Sequence, residues 1–167
     1  HSRWAKRIGR NGLGKTRRRV RTGLEAVNFS PIAVEAPSMN GFLYVALGGA
    51  LGASLRHGAG LAAVRLGLSG WPWATFFVNL LGSLLMGLLI GFLAFRGESL
   101  GGGQGTRLFL ATGLLGGFTT FSAFSLEVAQ YIQKDDWTRA IAYAGLSVVA
   151  GLALVLLGLF VMRKVLA

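Results

Sequence analysis

The chain has 167 residues, of which 53% are hydrophobic and 14% charged, with 26 glycines and 3 prolines. Soluble domains carry about 25% charge, so this is not the composition of a soluble domain; glycine-rich apolar runs belong to packed membrane helices. The absence of cysteine excludes disulfides, thiolate metal sites and cysteine nucleophiles, and His1 and His57 have too few acids near them to build a metal cluster.

The net charge of +11 would suit nucleic acid or an anionic membrane surface, but it is unevenly spread. Residues 1–38 hold nine of the 17 Lys/Arg and two of the six acids. They have no apolar period long enough to bury a face, so they read as a basic, disordered leader ahead of a domain at 39–167. The run RRRVR would touch phosphate or anionic lipid in a native leader. A non-native extension or a mis-chosen start is the expectation, because Met39 directly precedes the first apolar run; no nucleic-acid partner is then expected. No apolar stretch follows the charges before Pro31, which argues against a secretory signal.

Four long apolar segments follow, at about 42–66, 73–95, 108–132 and 141–162. About 20 apolar residues span the ~30 Å core of a bilayer as a helix, so each predicts a transmembrane helix. Arg56 interrupts the first, Glu127 lies near the far end of the third, and the second and fourth contain no charge. The connections at 67–72 and 133–139 are short, and the middle one carries GESLGGGQG, a flexible loop. Trp71, Trp73, Phe95 and Trp137 fall at segment ends, where aromatic side chains anchor at headgroups. From Met39 onward, Arg96, Arg107, Arg163 and Lys164 fall on one side and Arg56, Arg65, Lys134 and Arg139 on the other. Lys/Arg bias sets orientation. An even count predicts insertion both ways, and two opposed copies then pair about an axis in the membrane plane.

The third segment carries the densest chemistry. In GLLGGFTTFSAFSLE, Gly113, Gly116 and Gly117 loosen the helix, and Thr119, Thr120, Ser122 and Ser125 follow. A break at membrane depth frees backbone groups that cost several kcal/mol each in hydrocarbon, so it persists only where protein, water or an ion supplies partners. Interrupted helices serve transporters as ion sites; the plainer reading is a close glycine contact with hydroxyls bonded back to i−4 carbonyls. Phe118, Phe121 and Phe124 are spaced by three and share one face of a resumed helix. Ring edges are electropositive and favour a small bare anion. Asn79 in the second segment offers either an interhelical bond or a donor to an anion. Tyr143 and Ser147 share a face of the fourth segment. These buried polar groups are uncharged donors, which suits a strongly hydrated anion better than a cation or proton. Arg56 either snorkels or draws anions into a vestibule, and Glu127 either pairs with a base or sits in the opposite mouth.

The runs GGALGASLRH (48–57), WPWATFFVNLLGS (71–83) and GLLGGFTTFSAF (113–124) resemble the Fluc, or CrcB, fluoride channels, over Met39 to the C-terminus. The resemblance implies an all-α membrane fold of four transmembrane helices with a broken third helix, assembled as an antiparallel, dual-topology homodimer in the inner or plasma membrane. It implies a fluoride pathway of Asn79, Thr120, Phe121, Ser122, Phe124, Tyr143 and Ser147, with Arg56 and Glu127 in vestibules. It further implies a structural sodium ion held at the two-fold axis by the backbone carbonyls of Gly116 and Thr119 from both subunits. The sequence departs from the family at His57, Ala123 and Gly151, the last ending the polar track after Ser147. No chemistry on a substrate is expected; the resemblance implies passive fluoride export that relieves toxicity. The alternatives are a small dual-topology drug/proton antiporter, which needs a membrane-embedded carboxylate, and an interaction protein acting through the basic leader.

Overall fold

The structure, a computed structural model, describes residues 39–96 and 103–166. The leader at 1–38 and residues 97–102 of the middle loop lie outside the described residues. Within them every regular element is a helix and there is no strand. Helix α1 is Met39–Arg65 and α2 is Trp73–Arg96. Helix α3 (residues 104–118) is made of Gln104–Arg107, a π-helical stretch Leu108–Leu115 and a last turn Gly116–Phe118. Helix α4 is Phe121–Gln133 and α5 is Trp137–Leu166.

Among the described residues, three stretches are long and apolar enough to cross a membrane: Trp73–Ala94, Gln104–Gln133 and Trp137–Leu166. Four were expected. The first segment does form a 27-residue helix, but Arg56, His57 and its glycines dilute its apolar content. Large apolar side chains cover the outer faces, among them Phe42, Leu47 and Leu51 of α1 and Val148 and Leu152 of α5. The interior is small, and Tyr143 and Val78 are its largest fully buried side chains.

Two glycine seams set the packing. Along the first, α1 lies backbone to backbone on α3. A Cβ on Gly48 would strike the Phe109 carbonyl, and one on Gly52 the Leu114 carbonyl. From the other side, a Cβ on Gly113 would come within 2.9 Å of the Gly48 Cα, and one on Gly117 within 2.6 Å of the Gly49 carbonyl. Small residues four apart permit this approach.

Along the second seam, α2 and α5 run parallel in constant register. Gly151 faces Ser83, Gly87 faces the Val155 carbonyl, and Gly91 faces Leu159 and Met162. The levels are four residues apart on both helices, about 6 Å at 1.5 Å rise per residue. Continuing that register toward the start of both helices sets Asn79 level with Ser147 and Thr75 level with Tyr143.

The third segment does break, but beyond the glycine pair. Gly116 keeps helical angles, φ −63° and ψ −38°. The chain leaves the helix at Thr119, φ −82° and ψ 159°, and Thr120, φ −150° and ψ 121°. Gly113 and Gly117 are committed to close contact with α1, so their value lies in lacking a side chain rather than in backbone freedom. Upstream, the widened i→i+5 ladder of Leu108–Leu115 shifts the helix register ahead of the break.

Candidate functional site

The two extended threonines are held by neighbouring side chains. Asn79 Nδ2 donates to the Thr120 carbonyl at 3.0 Å, and the Thr120 N–H donates to Asn79 Oδ1 at 2.8 Å. One amide thus replaces both partners the backbone lost. Thr120 also caps α4: its Oγ1 accepts from the Ala123 N–H at 3.2 Å. It contacts Ser122 Oγ at 3.2 Å. Thr119 Oγ1 and Ser125 Oγ donate back to the carbonyls of Leu115 and Phe121, at 3.0 and 2.9 Å. The row of hydroxyls is therefore divided: Thr120 and Ser122 face each other at the break, whereas Thr119 and Ser125 serve their own helix turns.

Several carbonyls at the break lose their ordinary i+4 donors, those of Gly116 and Thr119 among them. The Thr120 N–H, which would serve Gly116, goes to Asn79, and the Ala123 N–H, which would serve Thr119, goes to Thr120 Oγ1. The carbonyls of Gly116 and Thr119 are the ones expected to hold a cation. Uncharged oxygens freed from a helix ladder are suitable ligands for a hard ion.

Glu127 lies in mid-helix on α4 and is half-buried. Its two oxygens accept from Thr75 Oγ1 at 2.6 Å and from the Tyr143 hydroxyl at 2.7 Å. Its partners are hydroxyls rather than a base. The Tyr143 proton is thereby committed to Glu127, and the residue presents mainly its ring to the space beside Phe124. Four rings surround it: Trp71 at 5.3 Å edge-on, Phe124 at 5.3 Å, Phe76 at 6.3 Å and Tyr131 at 6.5 Å between centroids. Trp71, expected at the headgroups, is half-buried in this cluster, with its indole N–H unpartnered.

Phe121 and Phe124 follow one turn apart, with centroids 5.6 Å apart. Phe124 leans on Tyr143, while Phe121 is 78% exposed on the isolated chain. Ser147 Oγ is buried and has no partner.

Arg56 lines a groove of about 480 Å³ together with His57, Thr75, Thr120 and Ala123. A second hollow, of about 340 Å³, is lined by Trp71, Glu127, Tyr131, Lys134 and Arg139. The Thr75–Glu127 hydrogen bond joins the walls of the two. Sequence reasoning did not single out Thr75 or Ser83. The signal was present: Thr75, Asn79 and Ser83 recur every four residues on one face of an otherwise apolar helix.

Several membrane-length apolar helices arranged around a polar helix break define an integral membrane protein. The chain belongs to the CrcB-like family: residues 43–159 match the family described as "CrcB-like protein, Camphor Resistance (CrcB)". It is 60% identical over 129 residues to the fluoride-specific ion channel FluC of Hyphomonas neptunium, covering 77% of this chain and all of that one. It is 46% identical over 129 residues to the channel of the same name from Caulobacter vibrioides, with 77% and 100% covered. The Beijerinckia indica channel of that name is 49% identical over 126 residues, with 75% and 98% covered.

Proposed function

We propose that this protein is a passive, fluoride-selective ion channel that releases fluoride across the inner or plasma membrane, and that it performs no chemistry on a substrate. The observation that carries this reading is the threonine break held by Asn79, with rings and uncharged hydroxyls beside it and no carboxylate facing it unpaired. Fluoride ionises after entering as neutral HF, and a pore lets the trapped anion leave down its gradient. Fluoride is strongly hydrated, so a selective path must replace its water with donors fixed in place. The second Asn79 Nδ2 proton and the Ser122 and Ser147 hydroxyls are uncharged donors beside the break, and the edges of Phe121 and Phe124 add a weak positive rim. Arg56 in its groove raises the local anion concentration. The relatives named fluoride-specific ion channels, matched over nearly their full length, support the same conclusion.

In this reading α1 is the fourth span, since 27 helical residues reach about 40 Å. The working unit is an antiparallel homodimer inserted both ways up, consistent with the balanced Lys/Arg count and with the exposed faces of α1 and Phe121. A sodium ion at the two-fold axis would bridge the Gly116 and Thr119 carbonyls of both copies and fix the break. One copy supplies only two such oxygens, fewer than a hard cation requires. Residues 1–38 are not needed for conduction.

The test is fluoride release from proteoliposomes, followed with a fluoride electrode. Rapid release without an imposed proton gradient is expected. Vesicles that stay loaded would refute the channel, and release that requires a proton gradient would favour an antiporter.

A further inference from the structure

The parallel register of α2 and α5 stacks three polar levels on one seam. At the first, Thr75 and Tyr143 both bind Glu127. At the second stand Asn79 and Ser147. At the third stand Ser83 and Gly151. Beyond it the seam becomes glycine against backbone, at Gly87 and Val155 and at Gly158 and Leu84. The polar column thus ends at Ser83, about 6 Å past Asn79.

Two features set this third level apart. A Cβ built on Gly151 would lie 3.5 Å from Ser83 Oγ and would meet no other neighbouring group within 4 Å. The space that a residue-151 side chain would take is therefore open and is faced by the Ser83 hydroxyl. In addition, the hydroxyl is uncommitted. Ser54, Thr119 and Ser125 all bond back to an i−4 carbonyl, whereas Ser83 makes no side-chain hydrogen bond among the described residues. Ser147 Oγ, one level away, is buried and equally without a partner. Unpaired hydroxyls inside an apolar seam cost free energy unless something transient satisfies them.

We propose that Ser83 is a fluoride-coordinating residue, which supplies from α2 the hydroxyl that Gly151 cannot supply from α5. With Ser147 it forms a two-hydroxyl anion subsite that continues the pathway one helical turn beyond Asn79. This assignment rests on the channel reading above. Gly151 then does not end the polar track, because the hydroxyl at its level comes from Ser83. Both serine hydroxyls donate, and the anion accepts, as it passes from the amide level to the glycine seam.

The test is fluoride flux from liposomes holding the full chain, wild type beside three variants. Ser83→Ala should slow flux about tenfold, the scale of one lost hydrogen bond to a charged group. Ser83→Thr keeps the donor and should stay within about twofold of wild type. In Ser83→Ala/Gly151→Ser the hydroxyl returns from the opposite helix, and most of the flux should return with it. If Ser83→Ala fails to reconstitute, Ser83→Cys, which keeps the shape but donates weakly, carries the same comparison. A Ser83→Ala channel at wild-type rate overturns the proposal. So does a monodisperse double variant no faster than Ser83→Ala. A wild-type protein that releases no fluoride would instead sink the channel reading itself.

Discussion

Asn79 and Thr120 lie 41 residues apart in the chain, yet one side-chain amide brackets one backbone peptide, donating to its carbonyl and accepting from its N–H. The interrupted helix is therefore not a loose point. It is pinned from α2 by a residue-to-backbone pair of the kind two strands make.

Asn79→Ala should destabilise the fold, because it leaves both Thr120 backbone groups unpaired. Each orphan costs about 1–3 kcal/mol, so a loss of about 2–4 kcal/mol is expected, read as a lower unfolding midpoint in detergent. Asn79→Asp keeps the acceptor but sets a carboxylate oxygen against the Thr120 carbonyl and a negative charge on the proposed anion path. Its fluoride flux should fall sharply even where the protein remains folded.

Phe121 and Phe124 should separate function from stability. Phe121 is 78% exposed on the single chain, so Phe121→Ile should leave the melting of the protomer nearly unchanged while cutting flux at least tenfold. Phe124 packs on Tyr143, so Phe124→Ile should lower both. Equal effects on both readouts at both positions would refute the placement of Phe121 on the pathway.

The glycine seam gives a sharp contrast within one helix. Gly52→Ala drives a methyl into the Leu114 carbonyl and should cost about 1–3 kcal/mol by overpacking, with poor recovery of monodisperse protein. Gly58→Ala meets nothing within 4 Å and should be neutral or slightly stabilising, since alanine is the better helix former.

Glu127 is predicted to act as an acceptor rather than as a proton carrier. Glu127→Ala strands the Thr75 and Tyr143 hydroxyls and should cost about 1–3 kcal/mol. Glu127→Gln keeps one carbonyl acceptor and should restore most of that stability. Wild-type flux that required a proton gradient and was lost in the Gln variant would contradict this assignment.

Dual topology can be read directly, because the chain lacks cysteine. A Gln133→Cys variant places one exposed thiol at the end of α4 and leaves the Lys/Arg count even. An impermeant thiol reagent should label about half of the copies in intact cells. Labelling of all copies, or of none, would rule out the antiparallel pair.

The sequence made the helical class and the polar break legible for specific reasons. Two charge-free runs of membrane length admit little else, and GGFTTFSAF concentrates hydroxyls where hydrocarbon should be. The position of the break was harder to read. Gly116 and Gly117 look like the weak point, but Gly117 is needed against Gly49, so the backbone departs at the threonines. The partners of Glu127 were also hidden, because Thr75 and Tyr143 come from helices 52 and 16 residues away. Helix register, which decides such meetings, depends on which glycine faces which carbonyl, and no periodicity within a single segment encodes that.

The matched stride of α2 and α5 bears on how relatives should be compared. When two neighbouring rods keep step, a functional group can migrate from one to the other and still meet the same passing ion. Read column by column, such a migration looks like a gain in one place and an unrelated loss in another. The quantity held constant is the cross-section at each level, and variation in these proteins is better scored slice by slice than position by position.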